Sequence, residues 1–316
     1  MLEAEVAPET AGDPMSAQKW TRSSLRRVSQ RLRARGHRAS PPTVGRLLKK
    51  HKYALRVNRK TKGSGQGHPD RDTQFAYIEE RKAACRTEGV PVISVDTKKK
   101  ELLGDFKNAG AAWSKAPEEV NTHDFPQDAV GRAVPYGIYD VVRNRGAVYV
   151  GLSADTPQFA VEAIATWWQT EGCIAYPDAD RLQILADAGG SNGCRPRAWK
   201  HALQTLLADR FGLHVTVSHY PTGCSKWNPI EHRLFSYISQ NWAGKPLRTL
   251  AILLAYLCGT FTTAGLTVSA TVLEGTYPLG QRVSKAEMAA LNLELHETCP
   301  RWNYTLHPRL PLAQCA

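Results

Sequence analysis

No apolar run in this 316-residue chain approaches the roughly 20 residues that a bilayer-spanning helix needs, so nothing in it reads as a membrane anchor. The opening residues, Leu2 to Asp13, are acidic and polar, unlike a secretory leader with its basic start and apolar centre. Cysteine pairs are missing too. The seven cysteines are scattered and never spaced C-x-x-C, which argues against a zinc ribbon or a disulfide framework and fits a reducing cytoplasm. Negative charge is absent from one whole stretch: residues 16–62 hold sixteen Lys or Arg and no acid, whereas residues 1–15 hold four acids and no base. In residues 63–316, 25 basic side chains balance 25 acidic ones. The formal net charge of +12 thus comes from one short segment, as expected of a chain that meets a polyanion, nucleic acid above all.

That segment also has helical order. Ser23–Arg35 carries Leu25, Val28 and Leu32 at spacings of three and four, an apolar stripe on an Arg-rich helix. Gly36 can end it in the left-handed conformation, and Ser40-Pro41-Pro42 offers a capping hydroxyl and a first-turn proline for a second helix. In that second helix Val44, Leu47 and Leu48 turn inward, while Thr43, Arg46, Lys49 and Lys50 turn outward. Two short helices about a tight turn, the second one basic, predict a helix-turn-helix with Arg46, Lys49 and Lys50 on DNA. The glycine-rich run from Asn58 to Gly67 reads as a linker. The expected organisation is an acidic, disordered extension (1–15), the helix-turn-helix (16–57), a linker (58–70), a catalytic domain (71–305) and a tail (306–316).

In the larger part, Arg71–Arg86 reads as a helix with Phe75, Ile78 and Ala83 on one side. Val92–Asp96 is a buried strand, and Val134–Val142 and Ala147–Leu152 form a hairpin about residues 143–146. A helix capped by Thr156 runs to Trp167 and Trp168, followed by a strand at Leu182–Asp187. After the glycine-rich break at 189–193 come a helix near 195–211, a strand at His214–Ser218 and a helix from Asn228 through Trp242. The order β-β-β-α-β-α-β-α predicts an α/β fold, a ribonuclease-H-like mixed sheet with flanking helices behind the small helical domain.

Three acids occupy telling places. Asp96 ends Pro-Val-Ile-Ser-Val-Asp, Asp187 ends Leu-Gln-Ile-Leu-Ala-Asp, and Glu231 follows Asn228-Pro229-Ile230. Two strand-end carboxylates and a third on a helix make an oxygen-rich set suited to two Mg²⁺ or Mn²⁺ ions, the pair that serves in-line phosphoryl transfer. Lys98, Lys99 and Lys100, just after Asp96, point to a phosphate. Asn228-x-x-Glu231 also matches a capping box, but Glu231 shares a face with Leu234, Phe235 and Ile238, which favours a metal partner. Asp105, Asp124 and Asp140 read as surface or hairpin acids, and His123 and His219 as core or surface residues. Asn192, Lys226 and Trp227 flank the expected site; Lys226 suits a DNA phosphate, and Trp227 suits either packing or stacking on a base.

The stretches HPDRDTQFAYI (68–78), PVISVDTKKKELLGDFKNAG (91–110), PYGIYDV (135–141), ADAGGSNGCRPRAWK (186–200) and SKWNPIEHRLFSYISQNW (225–242) resemble the DDE transposases of the ISAzo13 insertion-sequence family, from about Trp20 to Tyr304. The resemblance implies a DDE recombinase fold, a divalent metal, mobile-element DNA as substrate and a catalytic triad at Asp96, Asp187 and Glu231. The expected activity is DNA strand cleavage followed by 3′-hydroxyl strand transfer. Element ends and target DNA are the expected partners, with a homo-oligomer in the DNA complex and a bacterial cytoplasmic setting. A catalytically inactive relic or repressor and a nuclease without strand transfer are the alternatives. Two departures stand out: family members start further upstream, so a shortened chain is expected, and Ala188 stands where a glycine is usual.

Overall fold

Two three-residue strands, β1 (Thr10–Gly12) and β2 (Lys19–Thr21), pair antiparallel ahead of two short helices, α1 (Leu25–Ala34) and α2 (Pro41–Lys50). Ser24 and Ser40 cap the helices through their side chains, satisfying amides that a first turn leaves unpaired. Gly36 turns the chain at φ 85°. Val28, Leu32, Ala39 and Val44 form the small shared core, and the Ser29 hydroxyl ties the helices by donating to the Ala39 carbonyl at 2.6 Å. Leu25, expected on the buried stripe, is 40% exposed, although it lies beside Gly45 of α2.

This computed structural model describes residues 10–12, 19–21, 23–51, 53 and 68–309. It divides into two compact units, Met1–Gly63 and Ser64–Ala316. Within the acidic stretch expected to be disordered, Thr10–Gly12 is a strand. The rest of that stretch, the linker run 58–67 and the tail residues 310–316 lie outside the described residues.

The second unit opens with α3 (Arg71–Glu88), which ends at Gly89 with φ 71°. Gln74, Ile78 and Cys85 are its buried residues; Ala83, expected on the apolar face, points to solvent. Then follow β3 (Val92–Thr97), β4 (Glu101–Leu103) and the hairpin of β5 (Gly131–Asp140) with β6 (Arg145–Gly151). Asn144 makes the hairpin turn at φ 53°, a left-handed conformation that asparagine tolerates. Next come α4 (Pro157–Trp167), β7 (Arg181–Asp187), α5 (Arg197–Ala202, continued as wider helix to Phe211) and β8 (His214–Tyr220). A wide turn at Glu231–Phe235 leads into α6 (Ser236–Asn241). Beyond the expected elements lie α7 (Leu250–Cys258), β9 (Thr267–Val272), α8 (Lys285–Ala289), β10 (Leu293–Leu295) and β11 (Asn303–Leu306). Among the described residues no helix is long and apolar enough to cross a membrane.

The strands form a nine-stranded mixed sheet in the order β10-β11-β8-β7-β3-β5-β6-β9, with β4 joined to β5. Alternation along each strand sorts side chains between two faces. Ile93, Val95, Ile184, Ala186, Val215 and Val217 face one core, shared with α4 and α5. Val92, Leu185 and Tyr220 face α3, and Tyr139, Val148 and Val150 on that same side face α6 and α7. Two glycines let the wide turn come down onto the sheet. A methyl group on Gly137 would lie 2.5 Å from the Phe235 ring, and one on Gly146 would lie 2.5 Å from Leu234 Cδ1. Gly137→Ala therefore overpacks this contact and is expected to destabilise the fold by about 1–3 kcal/mol, read as a lower urea midpoint with unchanged slope. A midpoint equal to wild type would mean that the helix does not sit this close.

Candidate active site

Parallel pairing places the first two carboxylates. The β3–β7 register runs through Val95 opposite Ala186, so Asp96 and Asp187 follow at the same end of neighbouring strands. Their side chains leave the sheet on the face of Ser94, opposite the Val95–Ala186 core. Glu231 begins the wide turn on that face, half-buried, while Leu234 and Phe235 beside it are buried. Burial, reinforced by the negative charge of Asp187, holds the Asp96 carboxyl up at about 8; Glu231 and Asp155 add to the push. Burial and then Glu231 hold Asp187 up at about 6. The three expected acids thus act on one another across one small region.

The protein compensates these carboxylates only in part: the Asn228 side chain bonds Asp187 and opposes the rise in its pKa. Asp96 Oδ1 accepts from the Thr97 amide at 2.8 Å. Asp187 Oδ1 is buried without a hydrogen-bond partner. Among the described residues no group of three or more His, Cys, Asp or Glu is assembled closely enough to hold a metal ion as it stands. The arrangement is an open set of hard oxygen donors, which like-charge repulsion favours. It fits an oxygen-seeking divalent cation: a carboxylate oxygen is left unpaired, and such an ion offsets the negative charge that the clustered acids carry when ionised.

The surroundings hold Asp187 by its backbone. His219, fully buried, lies 2.9 Å from the Asp187 carbonyl through Nδ1 and 3.1 Å from the Tyr304 hydroxyl through Nε2. Since the carbonyl can only accept, Nδ1 carries the proton and Nε2 accepts from Tyr304. Burial keeps this imidazole neutral, with its pKa pushed down to about 3. Trp199 Nε1 donates to the Tyr304 oxygen at 2.9 Å, so the bridge is anchored in the opposite core. Asp155 is a further carboxylate at the site that sequence reasoning missed. It accepts from Thr97 Oγ1 at 3.1 Å, and Thr97 Oγ1 also meets Ser191 Oγ at 3.3 Å. Asp155 stands in a loop after β6, where no hydrophobic run marks it out. Asn192 is wholly buried, and neither polar atom of its side chain has a partner.

The other expected residues fall as follows. The capping box set aside in favour of a metal partner is absent: the Asn228 side chain bonds β3, and Glu231 begins its turn without a side-chain cap. Lys98 does not project toward a phosphate; it is buried, 3.5 Å from Glu101 and 4.6 Å from the Trp242 ring centroid. Lys99 and Lys100 are exposed. Asp140 is buried and caps the hairpin, accepting from the Val142 and Arg143 amides and from Tyr176. Ala188 is not among the residues with positive φ, so alanine costs no backbone strain there. Arg46, Lys49 and Lys50 are exposed on α2. Lys226 is exposed with its ammonium 5.2 Å from the half-exposed Trp227 ring, whose other contact is Phe75 at 5.9 Å.

The family model described as Rhodopirellula transposase DDE domain matches residues 1–308, a wider span than the motifs suggested. The chain belongs to this family, the ISAzo13-type DDE transposases. No curated protein matches it. Among solved structures, similarity extends to a "Mos1 transposase paired-end complex with left transposon end", with TM-score 0.44, 12% identity, 81% of this chain and 68% of that one covered. A "mariner Mos1 paired end complex with Mg" gives TM-score 0.46 and 12% identity over the same shares. The corresponding complex with Mn gives 0.44 and 13%, over 74% of this chain and 65% of that one.

In this transposase the raised carboxyls tie stability to pH. The folded chain holds the Asp96 and Asp187 protons more tightly than the unfolded chain, whose aspartates titrate near 3.8. Their contribution is complete below that value and is lost as pH rises through about 6 and about 8. In the presence of chelator, Asp96→Asn should therefore gain stability over wild type progressively between pH 4 and 8, by a few kcal/mol at most. Thermal melts across that range check it. A gap that stayed constant with pH would remove the proposed repulsion.

Proposed function

We propose that this protein is an active DNA transposase whose catalytic carboxylates are Asp96, Asp187 and Glu231, with a pair of Mg²⁺ or Mn²⁺ ions held among them. The observation that carries the reading is the side-by-side placement of Asp96 and Asp187 beyond the Val95–Ala186 pair, with Glu231 acting on both. Family membership supports DNA as the substrate. The sheet core β8-β7-β3-β5-β6, with helices on both faces, supports reading residues 71–305 as a ribonuclease-H-like catalytic domain. When bound, the divalent pair supplies charge neutralisation at the attacking and leaving oxygens of an in-line displacement.

The chain's own residues hold and position. The three carboxylates provide the anionic oxygens, and no side chain serves as nucleophile. His219 fixes the end of β7 through the Asp187 carbonyl. Lys226 is exposed beside the site to meet a phosphate, and Trp227 presents a face to an unstacked base. Within the segment 16–57, α1 and α2 serve as the helix-turn-helix, with Arg46, Lys49 and Lys50 of α2 directed at the DNA backbone. The same reading assigns strand cleavage at element ends, transfer of the freed 3′-hydroxyl into target DNA, and a homo-oligomer that brings two ends together.

Two experiments test this. With terminal-repeat DNA and Mg²⁺ or Mn²⁺, wild type should nick and join. Asp187→Asn and Glu231→Gln should each lose both activities, to below about one per cent, while keeping wild-type thermal stability or exceeding it. Nicking without joined product would make the protein a nuclease; neither product would make it an inactive DNA-binding relative. Separately, replacing Arg46, Lys49 and Lys50 with Ala should flatten the salt dependence of DNA binding, by about 0.9 in log–log slope for each lost phosphate contact. An unchanged slope would remove α2 as the docking helix.

A further inference from the structure

Asn228 and Ser94 form a buried hydrogen-bonded link between the strand of Asp96 and the turn of Glu231. Both side chains are fully buried. The Ser94 hydroxyl donates to Asn228 Oδ1 at 2.5 Å and accepts from the Ile230 amide at 3.0 Å. Asn228 Nδ2 donates to the Val95 carbonyl at 3.2 Å. Three bonds therefore join residues 94 and 95, just before Asp96, to residues 228 and 230, just before Glu231. Each partner is committed: the hydroxyl both gives and receives, and the amide uses both its ends. Below this link Gly137, paired with Asp96 across β3 and β5, lacks the side chain that would lift Phe235 and Ile230 away from the sheet.

We infer that Ser94 and Asn228 are positioning residues that fix the Glu231 carboxylate relative to Asp96, and so set the divalent-cation affinity of the site. The inference rests on the proposed metal reading. The two carboxylates are referenced to one another through β3 itself. Outer partners that orient metal ligands typically change affinity by about 10–100-fold when removed. Asn228→Ala takes away both amide bonds, and with them the side-chain contact that Asn228 makes to Asp187. Ser94→Ala is milder and removes the hydroxyl alone.

The test is Mn²⁺ titration of the full-length protein without DNA, with free Mn²⁺ followed by its paramagnetic resonance signal and thermal stability measured in parallel. Gln204→Ala supplies the control for folding. Gln204 is an equally buried amide that bonds Asp209, the His307 carbonyl and the Asn292 amide, away from the site. Both Asn228→Ala and Ser94→Ala should raise the Mn²⁺ dissociation constant about tenfold or more, and should shift the Mn²⁺ concentration for half-maximal nicking upward to match. Gln204→Ala should melt earlier with its Mn²⁺ affinity unchanged. If Asn228→Ala does not fold, Ser94→Ala decides the matter. Mn²⁺ affinity within twofold of wild type in the folded variants would overturn the positioning role, as would an equal loss in Gln204→Ala. A wild-type protein that takes up no Mn²⁺ would instead overturn the metal reading itself, and this inference with it.

Discussion

The parallel pairing of β3 with β7 governs the rest of the molecule. A parallel pair needs a crossover connection, and its strands are buried on both faces, so the strand ends emerge next to each other inside low-dielectric surroundings. Here both strands end on aspartate. Two carboxylates that would each ionise readily in water are held at about 8 and about 6, and the half-buried Glu231 adds to the strain. A fold selected for stability alone would not concentrate acid there. The surrounding structure locks the backbone of these acids, through His219 on one side and Asn228 on the other, while leaving a carboxylate oxygen of Asp187 without a partner.

Much of this was legible in the sequence because strands and charge leave local marks. The runs before Asp96 and Asp187 are apolar and β-branched, so the strands and their last residues follow from pattern. The basic stretch 16–62 is evident from composition, and Ser24, Ser40 and Gly36 mark the helix ends. Other features were not legible because they depend on contacts distant in sequence. Lys98 looks like a phosphate ligand until Trp242 and Glu101 close over it. Asn228 matches a local capping motif, yet its partners on β3 lie more than 130 residues away. Asp155 carries no pattern at all and becomes visible only through Thr97. The late strands β10 and β11 are three and four residues long, too short for alternation to register, and they exist because β8 offers an edge to pair with.

The two units divide charge as well as structure. All of the basic excess lies in residues 16–62, and the larger unit is formally balanced. Under the proposed reading, general attraction to DNA belongs to the first unit, where it is long-ranged and weakened by salt. The second unit is then free to gather acids that would otherwise repel a polyanion, provided that cations offset them locally. Such a division allows a negatively charged centre to work on a negatively charged substrate.

The central claim is that the end of the β3–β7 pair is a divalent-cation site completed by Glu231. Anomalous diffraction from crystals grown with Mn²⁺ tests it most directly, because the manganese signal locates the ion without reference to activity. The account predicts anomalous density in contact with carboxylate oxygens of Asp96 and Asp187, on the sheet face that carries α6, with Glu231 turned toward it. Density confined to other acids, or a Glu231 carboxylate directed to solvent while the ion is bound, would contradict it.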